Sequence, residues 1–208
     1  MDVYRFSDFI KGYTLKTDKL YWHNIPKIFP ASYAAKYVQE LSDEADKNYR
    51  IDVLDKIIPK QKTNLLSLHI RANDVLLGYK NGKYLWDKTR SDADYDFQPN
   101  DLEGFFSFLI LNRPNLFEID PSIKIYCNSH TEIDQIKFDL TNNLINDCKD
   151  VIKKFGFNSI TSGETEADKV FFELCNSNIL ATTSGGFGKI ANMLCRYRGG
   201  LVYECNSQ

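Results

Sequence analysis

Residues 168–187 constrain this chain more than any other stretch: Asp-Lys-Val-Phe-Phe-Glu-Leu-Cys-Asn-Ser-Asn-Ile-Leu-Ala-Thr-Thr-Ser-Gly-Gly-Phe. The first half has the spacing of an amphipathic helix, and Asn178–Ala181 follows as a short buried strand. Three hydroxyls (Thr182, Thr183, Ser184) and two glycines (Gly185, Gly186) come next, before a second helix from Phe187 to Tyr197. A strand that ends in hydroxyls and glycines and opens a helix is suited to phosphate. The glycines admit close backbone approach, and the helix start offers unpaired N–H groups at a positive dipole end. The expected ligand is phosphorylated or nucleotide-linked.

The same strand–helix alternation extends back to about Asn64. Leu65–Ile70, Ile123–Cys127, Asn158–Thr161, Asn178–Ala181 and Leu201–Glu204 read as strands. Asp101–Leu111, Glu132–Leu144, Ala167–Asn176 and Gly188–Tyr197 read as helices. Alternation of this kind predicts an α/β fold, a Rossmann-like parallel sheet with flanking helices. Before it, residues 1–60 read as a helical segment, with helices over Ala31–Lys47 and Ile51–Ile58, the second stopped by Pro59. The expected division is 1–60 and 61–208. Between the first strand and the first helix of the sheet domain, Val75–Asn100 reads as one long loop rich in Tyr, Asp and Lys.

Composition narrows the function. A chain of 208 residues, 43% hydrophobic, can bury a core. Its net charge of −2 gives no basic field for nucleic acid, and Lys153-Lys154 reads as a solvated helix face. The longest apolar run, Phe105–Leu111, is far below the ~20 residues that span a bilayer. The first residues show no basic segment followed by an apolar run, so a cytoplasmic setting is expected. Five cysteines without a CxxC pair argue for reduced thiols, with neither a disulfide framework nor a structural zinc site.

In an open parallel sheet, ligands sit beyond the carboxyl ends of the strands. Three segments fall there. In Leu-His69-Ile-Arg71-Ala-Asn-Asp74, His69 and Arg71 share a strand face. An arginine fork at a buried strand end fits a phosphate; the alternative is a structural Arg71–Asp74 pair. After the second strand, Asn128-Ser129-His130 could touch a base or sugar, or simply cap a helix. The third segment is the hydroxyl–glycine turn, where an N-cap and tight turn are the alternative. It is not a Walker loop: Gly188-Lys189 is followed by Ile190, and Thr183 stands at the first glycine position. Gly186-Phe-Gly188-Lys-Ile-Ala191 does fit a loose GxGxxA dinucleotide pattern, with Glu204 where a ribose-binding acid would lie.

Taken in order, these segments resemble the GDP-fucose-dependent fucosyltransferase superfamily, which includes α-1,2-, α-1,6- and protein O-fucosyltransferases. The resemblance covers about residues 64–194. The family carries His-x-Arg-Arg-x-Asp at a strand end, where this chain has His69-Ile-Arg71-Ala-Asn-Asp74. It carries an Asp-Leu-x-Leu-Met-Ser-x-Cys helix, where this chain has Asp168 through Cys175. Asn178-Ile-Leu-Ala181 and Thr182 through Gly188 stand where the family has a strand and then Asn-Ser-Ser-Phe-Ser-Trp-Trp. Ala72 replaces the family's second arginine, and no acidic pair follows the second strand.

The resemblance implies the nucleotide-sugar-binding half of a two-lobed GT-B glycosyltransferase, inverting and metal-independent, with no cofactor beyond its donor substrate. The donor would be GDP-fucose or another nucleotide sugar, and the acceptor a glycan or glycoconjugate. Arg71 would hold the β-phosphate, with His69 beside it and Asp74 as a third catalytic candidate. Asn128, Ser129, Asp168, Thr182, Thr183, Ser184, Gly185, Gly186 and Phe187 would bind the nucleotide sugar. Residues 1–60 would form a reduced acceptor-side lobe or a packing extension, leaving room for a homo-oligomer or partner subunit. The competing reading is a non-catalytic nucleotide- or dinucleotide-binding module of the same α/β class.

Overall fold

The structure is a computed structural model that describes Asp55 and residues 60–61, 65–89, 96–118, 122–127, 135–164, 167–183 and 185–205. The helices expected at Ala31–Lys47 and Ile51–Ile58 lie outside these residues, apart from Asp55, which is helical.

Seven strands are described: β1 (Leu66–His69), β2 (Leu76–Lys80), β3 (Lys83–Trp86), β4 (Ser122–Tyr126), β5 (Asn158–Thr161), β6 (Ile179–Thr182) and β7 (Leu201–Glu204). Four α-helices are given bounds among the described residues: α1 (Leu102–Asn112), α2 (Gln135–Lys154), α3 (Ala167–Cys175) and α4 (Gly186–Tyr197). Five strands form one parallel sheet in the order β5-β4-β1-β6-β7. The chain builds outward from β1 through β4 to β5, then returns to place β6 on the other side of β1. That reversal makes the gap between β1 and β6 the topological switch point, the ligand crevice of open α/β sheets.

The two sheet faces differ because strand side chains alternate. On one face Leu66, Leu68, Ile123, Ile125, Ile179 and Ala181 join the main core with α1, α2 and the β2–β3 hairpin. Phe106, fully buried, stacks on Phe155 with ring centroids 4.4 Å apart. The other face carries Ser67, His69, Tyr126 and Thr182, all buried. There Tyr126 donates its hydroxyl proton to Glu173 of α3. Lys124 pairs with the same carboxylate at 2.6 Å, and the Ser177 hydroxyl bonds that of Ser67 at 2.7 Å. Pairing of this kind offsets the cost of burying these polar groups. Burial, together with the Glu173 carboxylate, pushes the Tyr126 phenol well above its ordinary value.

Two elements differ from the sequence expectation. The Val75–Asn100 loop contains an antiparallel hairpin, β2–β3, turned by Asn81-Gly82. Both turn residues have positive φ, 54° and 76°, as a two-residue primed turn requires. The expected helix Glu132–Leu144 is described from Gln135 and runs on to Lys154, because Ile145, Cys148, Val151 and Ile152 continue the buried stripe. Lys153 and Lys154 at its end are exposed, as a solvated face should be. All five cysteines are free and buried, and no described helix is long and apolar enough to cross a membrane.

Candidate nucleotide site at the sheet switch point

Beyond His69 the first strand stays tied to both neighbours. The Ile70 N–H donates to the Tyr126 carbonyl at 2.8 Å, and the Thr183 N–H to the His69 carbonyl at 3.0 Å. The Arg71 N–H donates to the Thr183 hydroxyl at 2.8 Å. These bonds hold Arg71 and Thr183 together at the switch point. Thr182 ends β6 fully buried, its hydroxyl accepting from the Asn192 side-chain amide at 2.7 Å.

The chain then turns at Gly185, with φ 109° and ψ 145°, a conformation nearly reserved for glycine. A Cβ at this position would lie 3.4 Å from Arg71 Cγ, so the arginine stem crosses the turn at close range. Helix α4 starts at Gly186, one to two residues before the start read from sequence. Its first backbone bond runs from the Lys189 N–H to the Gly185 carbonyl at 3.1 Å. The N–H groups of Gly186, Phe187 and Gly188 precede that first bond, and the N-cap residue Gly185 has no side chain to cap the helix. Gly188 packs the helix onto the strands: a Cβ there would meet Thr182 Cβ at 3.3 Å and His69 Nδ1 at 3.4 Å. Gly185→Ala should therefore cost about 1–3 kcal/mol of stability, measurable as a lower chemical-denaturation midpoint.

The Arg71 guanidinium forms a two-point pair with the Asp74 carboxylate, Nη1 to Oδ1 at 2.6 Å and Nη2 to Oδ2 at 2.9 Å. Nη1 also approaches the Ala72 carbonyl at 3.4 Å. A guanidinium has five donors, so these contacts orient the fork and leave capacity for an anion. Both side chains are about a quarter exposed. From α2, Lys137 Nζ donates to the Asp74 carbonyl at 3.3 Å, bringing a second cation to this edge. Nothing in the linear sequence marked Lys137; only the docking of α2 on the Asn73–Val75 turn places it here. Burial drives the Cys127 thiol, at the end of β4, up to about 12 despite the opposing Arg71 charge, so it remains protonated.

Of the residues singled out from sequence, His69, Arg71, Asp74, Thr182, Thr183, Gly185 and Gly186 converge at this edge. His69 is 7% exposed, its ring 5.1 Å from that of Phe187. Phe187 is itself buried, edge-on to Phe171 at 5.4 Å, so both rings act in packing beneath the turn. Asn128, Ser129 and Ser184 lie outside the described residues, as does the side chain of Asp168 in the first turn of α3. Asn192, missed in the sequence, sits one turn after Gly188 on the strand-facing side of α4. Among the described residues, no three His, Cys, Asp or Glu side chains cluster as a metal site.

No protein-family description matches the chain, and no curated protein matches it in sequence. One solved structure that does match is POFUT1 in complex with GDP, at 8% identity and a TM-score of 0.36. The match covers 76% of this chain and 48% of that one, so this chain spans about half the neighbour's length.

Proposed function

We propose that the switch-point crevice binds the diphosphate of a nucleotide sugar and that the chain transfers the sugar to a glycan, with inversion and without a metal. Fucose from GDP-fucose is the leading donor, on the motif resemblance. The observation that carries the reading is the Arg71–Thr183 junction. It sets an arginine fork, a strand-end hydroxyl and the N-terminal turn of α4 around one point between β1 and β6. Transfer requires a leaving diphosphate whose charge is neutralised as the sugar–oxygen bond breaks. A guanidinium and a helix start can do this from fixed positions. Asp74, already bound to Arg71, is a positioning group for the fork rather than the acceptor of the glycan's proton.

The test is nucleotide release from GDP-, UDP- and dTDP-sugars in the presence of glycans, with and without EDTA. Turnover of one donor, unaffected by EDTA, is the expected result. Abolition by EDTA would remove the metal-free mechanism, and binding without turnover would reduce the chain to a nucleotide-binding module.

One observation favours the dinucleotide reading: Glu204 ends β7 in register with Thr182, where a ribose-binding acid would stand. Against it, Gly186 and Gly188 both lie in the first turn of α4 rather than in a loop before the helix. On the transferase reading, Glu204→Gln leaves nucleotide affinity unchanged; a loss of NAD binding would promote the alternative.

A further inference from the structure

Away from the switch point, a cleft of about 340 Å³ opens between the tip of the β2–β3 hairpin, the Pro99–Asp101 turn and the last turns of α2. Its size falls in the range of small-molecule pockets, roughly 300–1,000 Å³. From Lys137 to Asp150 the helix rises roughly 20 Å, so the cleft is remote from Arg71.

Four features define what it can hold. Tyr79 is 55% exposed and leans on Tyr84, ring centroids 4.8 Å apart at 57°. Tyr84 is buried and donates its hydroxyl to Asp147 at 2.6 Å, which fixes that carboxylate at the wall. Asp147, Asp150, Val151 and Lys154 recur at i, i+3, i+4 and i+7, so they share one face of α2. Lys83 and Asn100 line the opposite side. The Gln98 amide is committed to the Tyr84 backbone, accepting its N–H and donating to its carbonyl, both at 2.9 Å. That clasp makes the hairpin wall rigid.

The two lysines and two aspartates cancel, so the cleft has no field selecting an anion or a cation. It offers an exposed aromatic face, carboxylate acceptors, ammonium donors and a side-chain amide that both donates and accepts. A neutral polyhydroxylated ring uses all of these: its C–H face lies on an aromatic ring while its hydroxyls alternately donate and accept.

We propose that this cleft is a saccharide-binding site that holds a neutral sugar unit through Tyr79, Asp147, Asp150 and Asn100. It extends the proposed function by giving a glycan chain a second point of attachment. Its test reads saccharide binding without transfer, so failure of the cleft and failure of the donor site are separable.

The experiment is saturation-transfer NMR on the full chain with methyl glycosides of glucose, galactose and N-acetylglucosamine and their β-linked disaccharides. The expected result is transfer to at least one sugar. Transfer should fall tenfold or more in Tyr79→Ala and in Asp150→Ala, both surface changes, with melting and nucleotide binding unchanged. Absence of transfer to every sugar, transfer unaltered in both variants, or a nucleotide binding at Tyr79 instead would each overturn the site.

Discussion

Arg71→Ala should weaken nucleoside-diphosphate binding about 100-fold, or about 2.7 kcal/mol, and abolish sugar transfer, while the chain stays folded. The magnitude follows from the chemistry of the contact. Hydrogen bonds to charged groups contribute about 1.5–3 kcal/mol each; a phosphate engages an arginine fork at two points, and the partial exposure of Arg71 holds the sum near the low end. The fold should tolerate the change because Arg71 sits at the rim and its backbone N–H bond to Thr183 does not need the side chain. Arg71→Lys separates charge from geometry: a point charge without the fork should recover only part of the loss. Isothermal calorimetry with each nucleotide reads both variants. Full affinity in Arg71→Ala would show that the Arg71–Asp74 pair is structural only, the alternative that the sequence itself posed.

The second large effect concerns the joint between Asp55 and the end of α4. The Arg198 Nε donates to Asp55 Oδ1 at 2.8 Å, with both side chains about nine-tenths buried. Arg198 Nη1 donates to the Asn176 side-chain oxygen Oδ1 at 2.9 Å, an atom that also accepts from the Gln61 N–H at 2.9 Å. Lys60 closes on the other carboxylate oxygen at 2.7 Å. Removing one partner takes away the other's closest buried counter-charge, at a cost of about 3 kcal/mol. For a chain of this size that corresponds to roughly 6–12 °C in melting temperature. Asp55→Asn and Arg198→Ala should each show it, and the double variant should lose less than the sum.

Burial pushes the Asp55 carboxyl up, but its bonds to Lys60 and Arg198 outweigh that and hold it below the usual carboxylate range. A depressed folded value means that the ionised form stabilises the fold. The contribution is complete above the unfolded value near 3.9, and is lost as pH falls through the lower folded value. Asp55→Asn should therefore flatten the acid limb of the stability profile. Parallel acid limbs in wild type and variant would show that Asp55 does not titrate this way.

The sheet was legible because its strands are short apolar runs set between amphipathic helices. The parallel order then follows from connections long enough to cross over. Asn81-Gly82 carries the signal of a two-residue hairpin turn, but the segment reads as one loop from its Tyr, Asp and Lys. The hairpin holds its place through Trp86, whose indole N–H donates to the Phe97 carbonyl at 2.8 Å, a bond no local pattern announces. At the site, the strand-end rule selected Arg71 and Thr183 because chain order alone puts them at strand ends. Lys137 and Asn192 were invisible for the opposite reason. They sit inside helices and reach the edge only through helix docking. His69 and Phe187 were site candidates in the sequence; a glycine at position 188 lets α4 descend onto them, and both rings are buried.

On this proposal the β1–β6 switch point binds a nucleoside diphosphate through Arg71. The most direct measurement is the thermal shift of wild type and Arg71→Ala against GDP, UDP, ADP, dTDP, NAD and NADP, with and without EDTA. A ligand at about 100 times its dissociation constant adds roughly 2.7 kcal/mol, a clear shift. The account predicts a shift in wild type with a nucleoside diphosphate, GDP foremost, unchanged by EDTA and absent in Arg71→Ala. A shift with NAD alone, or a diphosphate shift that survives Arg71→Ala, would contradict it.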